Sequence, residues 1–285
     1  MEGLSLSWDA FLPRLATRLV ERRDARAELA AVLDAAVDAG CGGRTGSGPA
    51  ATAAAHDPTV LDPFTFLARL ADTPDAAASF SAAGRALGMP FGVGDLAGFE
   101  ALPGSPRFAA DPEEADALWE LFERALDAAD AGRLSGVPTG SERTELLHAF
   151  QAVETFRSPA LSLARISCVL AQVAPRDYPS LVGATGTFLR SPDGLAIAEE
   201  DIPATGLEYL SLIAFLDDEM AAARLPYRDF LEMARAAGEG RALAQGLSAA
   251  DRRALVAQRI EPELRRLWPR DEARVAAELE RLLAE

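Results

Sequence analysis

The sequence predicts a mainly α protein: a multi-helix domain with long loops and one short strand pair. Three observations carry this reading. Apolar residues recur at helical spacing along most of the chain. Capping residues stand just ahead of those runs, and alternation of period two is scarce. No internal repeat divides the chain.

From Ser7 to Ala39, Trp8, Phe11, Leu12, Leu15 and Leu19 share one helical face, with Leu29, Val32, Leu33 and Val37 after a charged stretch. One or two amphipathic helices are expected there, stopped at Gly40. Residues 41–60 are Gly, Thr, Ser, Ala and Pro with almost nothing large and apolar, the composition of a linker or long surface loop. Asp62-Pro63 then starts a helix, with aspartate as cap and proline at the first helical position. Phe80 to Phe108 reads as irregular around one short helix near Ser81–Leu87. Asp111-Pro112 opens a helix that buries Leu118, Leu121 and Phe122 and carries Trp119 at its flank. Ser141 starts the next, to about Thr155, and Leu161 to Val173 is the most apolar helical stretch. The strand pair is placed at Phe188-Leu189 and Leu195–Ile197. Helices follow over Gly206–Ala223 and Tyr227–Ala237, then from Ser248 to Trp268 and from Pro269 to the end. The organisation read from this is N-terminal helices (1–40), a linker (41–60), a helical domain (61–240) and charged C-terminal helices (241–285).

The chain has 285 residues, enough to bury a sizeable core as one large domain or two small ones. Its 44 Asp+Glu against 28 Lys+Arg give a net charge of −16, and every cation is arginine. Without lysine there is no Schiff-base amine and no phosphate-loop lysine. Strong overall negative charge also disfavours non-specific nucleic-acid binding. Cys41 and Cys168 lie far apart, and no apolar run is long enough to span a bilayer. A cytoplasmic, soluble protein without a disulfide framework is expected.

Few motifs carry chemistry. Gly92-Val-Gly-Asp-Leu-Ala-Gly98 is spaced almost like a dinucleotide loop, but its last glycine falls one position late and no strand is predicted before it. Loop flexibility is the plainer reading. Acidic clusters stand at Asp111–Asp116, Glu199–Asp201 and Asp217–Glu219. Carboxylates on consecutive helical residues diverge, so caps and solvated faces account for them better than a Mg²⁺ site. His56 and His148 are isolated, and His148 reads as a partly buried helix residue. Cys168 sits in an apolar run and reads as a buried thiol. No metal and no cofactor is expected.

Arginine remains. Arg22, Arg23 and Arg26 form one cluster; Arg252, Arg253, Arg259, Arg265, Arg266 and Arg270 form another. Guanidinium suits phosphates and acidic partners. The second cluster is interleaved with Asp251, Glu261, Glu263, Asp271 and Glu272, which also suits ion pairs along a helix.

Several segments, in order, resemble the helical region that precedes the ATPase module of McrB-type AAA+ restriction and defence proteins. They are Leu61-Asp-Pro-Phe-Thr-Phe-Leu67, Met89-Pro-Phe-Gly-Val93 leading to Leu102-Pro103, and Asp116-Ala-Leu-Trp-Glu-Leu-Phe-Glu-Arg-Ala-Leu126. Next come Leu161–Leu170 with Ala174-Pro-Arg-Asp-Tyr-Pro-Ser-Leu181, then Leu207-Glu-Tyr-Leu210 and Leu225-Pro-Tyr-Arg-Asp-Phe230. Val182-Gly183 replaces the acidic turn of that family. The nucleotide machinery of such proteins needs a Gly-rich loop ending in Lys-Ser/Thr, which a lysine-free chain lacks. The resemblance therefore implies a non-enzymatic recognition module of a restriction or phage-defence system, with a separately encoded AAA+ or nuclease subunit as partner. Nucleic-acid binding through the arginine clusters is the alternative. An enzyme built on a carboxylate pocket with Mg²⁺ comes third.

Overall fold

The computed structural model describes residues 5–42, 57–96, 99, 104–130, 141–191, 194–222, 265 and 272–284, with positions 227, 230, 231, 233–235 and 237. The regular elements, in chain order, are β1 (Ser5–Ser7), α1 (Trp8–Val20), α2 (Arg26–Gly40), α3 (Pro63–Ala71), α4 (Ala76–Ala86) and β2 (Gly92–Asp95). They continue with α5 (Pro112–Asp130), α6 (Ser141–Glu154), α7 (Leu163–Val173), α8 (Gly183–Arg190), α9 (Gly206–Ala222) and α10 (Glu272–Ala284). The fold is mainly α. No helix among the described residues is long and apolar enough to cross a membrane.

The one strand pair lies elsewhere than the sequence places it. β1 and β2 pair in parallel, Ser5 opposite Gly92 and Leu6 opposite Val93, with a bulge before Ser7. Phe188 and Leu189 instead lie in α8, where Ala184, Thr185, Phe188 and Leu189 are buried at helical spacing. Beyond it, Ala196 takes a left-handed conformation (φ 51°), and the Ile197 N–H returns to the Leu189 carbonyl at 3.0 Å. Short apolar runs do not distinguish the two periods by themselves. The glycines of 92–95 have a packing reason rather than a flexible one. A Cβ on Gly94 would sit 2.7 Å from Ser5 Oγ, and one on Gly92 would sit 2.9 Å from Ser81 Oγ. Ser81 in turn receives the Val93 N–H at 2.9 Å, which ties β2 to α4.

The caps expected at Asp62 and Asp111 form, whereas Ser7 ahead of α1 makes no side-chain capping bond. α4 begins five residues before the short helix expected near Ser81–Leu87, where Asp75 accepts from Ala78 N at 2.9 Å. Asp111 accepts from Glu114 N at 2.9 Å while Glu114 accepts from Ala110 N at 2.6 Å, so the first acidic cluster is in part a capping box. Within the segment read as a linker, Asp57 accepts from Thr59 N and closes a 3-10 turn over Pro58–Val60. Residues 43–56 lie outside the described residues, as does most of the predicted 248–268 helix.

The core is one connected apolar cluster. It runs from Trp8, Phe11 and Leu15 of α1 through Phe64 and Phe66 of α3 and Phe122 of α5 to Tyr209 and Leu216 of α9 and Phe230. Trp119 is buried in it rather than at a flank, because its Nε1–H donates to the Leu61 carbonyl at 2.9 Å.

At its centre lies one polar knot. Asp62, fully buried, accepts from Thr65 N at 2.8 Å and from the Thr65 hydroxyl, and it also accepts from Ala109 N at 3.2 Å. Thr65 Oγ1 accepts from Phe108 N at 2.9 Å. Burial pushes the Asp62 carboxyl above its ordinary range, against the donors that draw it down. Above this knot the Arg165 guanidinium lies 4.2 Å from the Phe108 ring centroid and donates to Ala160 O at 2.6 Å.

Asp62→Ala removes the cap and strands buried donors, so unfolding in urea should show a loss of about 3 kcal/mol. Asp62→Asn should lose nearly as much, since its amide would face the Ala109 N–H and the Thr65 hydroxyl with donors of its own. A second expectation concerns acid. Glu208 accepts from Ala204 N and Thr205 N, which holds its carboxyl below the ordinary range. Its stabilising effect is therefore present above about pH 4.3 and lost as the pH falls through the lower folded value. Glu208→Gln keeps an acceptor there, so its melting temperature should fall less between pH 5 and pH 3 than that of the unaltered chain.

Candidate recognition cleft

The N-terminal arginines predicted as contacts are occupied within the protein. Arg23 donates to Glu123 at 2.6 Å and to Glu120 at 3.3 Å, both on α5. Arg26 pairs with Asp116 and lies 6.0 Å from the Trp119 ring centroid. Arg22 stands 3.6 Å from Glu28. Together these tie the start of α2 to α5. Arg265 pairs with both carboxylate oxygens of Glu272 at 2.7 Å, the ion-pair arrangement that the interleaved charges predict. Arg252, Arg253, Arg259, Arg266 and Arg270 lie outside the described residues.

The acidic clusters stay apart. Asp111 and Glu114 cap α5, Glu199 reaches Arg190 at 3.2 Å, and Asp217 to Glu219 lie along α9. Among the described residues, no three His, Cys, Asp or Glu side chains gather closely enough to hold a metal ion. His148 is exposed on α6, not partly buried, because Leu146, Ala149 and Phe150 form the inward face. Cys168 is buried, with Gln172 Nε2 at 3.9 Å from its sulfur. Cys41 is exposed.

One concave site among the described residues was not among the sequence candidates. It is a cleft of about 640 Å³ between α1, the end of α5 and the turn after α7. One wall is the outer face of α1, with Asp9, Pro13, Arg14 and Thr17. The opposite wall is Arg176 and Asp177, and Arg235 closes one end. Pro13 sits inside α1 and has no N–H to return to the Asp9 carbonyl. Arg14 donates to the Ala10 carbonyl, and Thr17 Oγ1 donates to Pro13 O at 3.1 Å. Arg235 stacks on Trp8 at 5.0 Å, and Trp8 meets Phe99 edge-on at 5.9 Å.

The turn that forms the second wall is held from beneath by all three tyrosines of the chain. Tyr227 donates to Asp177 O at 3.3 Å, Tyr209 to Pro179 O at 2.7 Å, and Tyr178 to Ala125 O at 2.8 Å. Burial pushes each phenol well above its ordinary range, so all three remain donors at any physiological pH. Tyr178 and Tyr209 also stack at 6.5 Å. The position of Arg176 is thereby fixed by a rigid base. In sum the cleft brings three guanidiniums, those of Arg14, Arg176 and Arg235, against the two carboxylates of Asp9 and Asp177. This is a local positive excess on a chain of net charge −16. Such an arrangement can hold a carboxylate or phosphate group.

No sequence signal announces these arginines. They stand 162 and 59 residues apart along the chain (176 − 14 and 235 − 176) and belong to none of the clusters. Comparison of the chain with family models, with curated proteins and with solved structures gives no match.

The two arginine groups should separate in stability measurements. Arg23→Ala should cost about 1 kcal/mol at low salt and less at high salt, because its pairs are partly exposed. Arg14→Ala, whose side chain is exposed, should leave stability within about 0.5 kcal/mol.

Proposed function

We propose that this chain is a recognition module that binds a protein partner and seats an acidic segment of it in the arginine cleft. The observation that supports this is the convergence of Arg14, Arg176 and Arg235 on one face of an otherwise acidic chain. A complementary acidic segment gains from these charges both in orientation and in association rate. The segments resembling McrB-type proteins supply the setting: a restriction or phage-defence assembly in which the partner is an AAA+ or nuclease subunit made as a separate chain. The nucleic-acid reading draws less support, since Arg22, Arg23, Arg26 and Arg265 each face a carboxylate already.

A fluorescently labelled oligoglutamate peptide tests the seat directly. Saturable binding at low ionic strength, weakening steeply as salt is added, is the expected result. The double variant Arg14→Gln/Arg176→Gln should weaken it roughly ten-fold or more, equivalent to about 1.4 kcal/mol. Equal binding by the double variant would remove the cleft from the account. Tighter binding to a DNA duplex than to the peptide would favour the nucleic-acid reading instead.

A further inference from the structure

A second, smaller cavity of about 260 Å³ lies where α6 ends and α7 begins. Its wall is apolar and rigid. Phe150 and Val153 of α6, Leu161 in the short 3-10 turn before α7, and Ile166 in the first turn of α7 are all buried and belong to the main core. Phe150 packs edge-on against Tyr209 at 6.0 Å, which holds this wall in place. The rim is polar and carries one charge of each sign. Glu154 is the last residue of α6, and Arg157 follows one turn later.

These rim groups are unusually disposed. Arg157 has φ 50°, a left-handed conformation that a side chain with a Cβ rarely adopts. Residues held this way cluster at ligand sites, where the fold over-determines them. Arg157 is exposed, and its side chain forms no ion pair among the described residues. The Glu154 carboxylate accepts from Gly206 N through one oxygen, and the residue is otherwise exposed. Ser158 and Ser162 precede helical turns at cap positions, yet neither side chain makes the capping bond. Two hydroxyls, one carboxylate oxygen and one guanidinium therefore surround an apolar cavity with their hydrogen-bonding capacity still open.

We propose that this cavity binds a free apolar α-amino acid, with the Arg157 guanidinium on its carboxylate, Glu154 on its ammonium and the side chain among Phe150, Val153, Leu161 and Ile166. A ligand with only an anion would leave Glu154 facing it, and one with only a cation would face Arg157. An α-amino acid carries both charges beside one branch point, and its apolar side chain supplies the area that a dry wall rewards. Neither the arginine cleft nor its acidic partner enters this inference.

The test uses the full chain and three probes of matched shape: leucine, 4-methylpentanoate, which lacks the ammonium, and isopentylamine, which lacks the carboxylate. Calorimetry should give saturable binding of leucine, with each single-charge analogue weaker by roughly ten-fold. Methyl NMR shifts should fall on Val153, Leu161 and Ile166. Arg157→Gln should weaken leucine and 4-methylpentanoate by roughly five-fold or more and leave isopentylamine unchanged. Arg157→Gly is the folding control, since glycine suits the left-handed backbone: it should melt no lower than the unaltered chain and show the same loss for leucine. Three results would overturn the assignment: no binding of leucine, 4-methylpentanoate binding as tightly as leucine, or methyl shifts outside this cavity.

Discussion

The buried carboxylate of Asp62 is the constraint on which the other contacts depend. A carboxylate taken fully out of water is tolerated only when donors surround it, and here they come from two distant parts of the chain. Thr65 supplies two donors from the same helix start, and Ala109 supplies a third from the segment that leads into α5. The knot therefore does more than cap α3. It fixes where residues 108–109 cross α3, which places Phe108 at 5.5 Å from Phe64 and sets the entry to α5. From there Phe122 meets Phe64 at 5.4 Å, and Trp119 reaches back to the Leu61 carbonyl. Arg165 on α7 joins the same assembly through the Phe108 ring. Three helices are thus indexed to one side chain.

A second polar scaffold does for α7 and α9 what Asp62 does for α3 and α5. The three tyrosines bury their rings in the core and give their hydroxyls to backbone carbonyls at 125, 177 and 179. Those at 177 and 179 lie in a turn without ladder partners, and a buried turn would be costly without such donors, while the bond to Ala125 ties the same turn to α5. The outcome is a rigid turn under Arg176, so that the cleft wall is built on the core rather than on a loose loop.

Charge follows the same division of labour. With arginine as the sole cation, every positive group is a planar, multi-donor fork. Those at 23 and 26 close the gap between α2 and α5 against acidic side chains. Those at 14, 176 and 235 line concave surface instead. Identical residue types thus stand in different surroundings according to where the tertiary fold places them.

By itself the sequence determined the helical class and several helix starts, because capping and helical periodicity are local: Asp62-Pro63 and Asp111-Pro112 act within three or four residues of themselves. It also determined that Cys168 is buried, since an apolar run on both faces leaves no exposed side. Other features were decided only by tertiary structure. The pairing of β1 with β2 joins Ser5 to Gly92, 87 positions apart, and the helical state of Phe188-Leu189 is selected by the core it packs against. Trp119 became a core residue because the Leu61 carbonyl lies opposite it. The arginine cleft and the cavity beside Arg157 are likewise products of convergence. Spacing along the chain encodes which face of a helix is apolar. It does not encode which distant side chains will share a cleft, because that depends on how the helices cross.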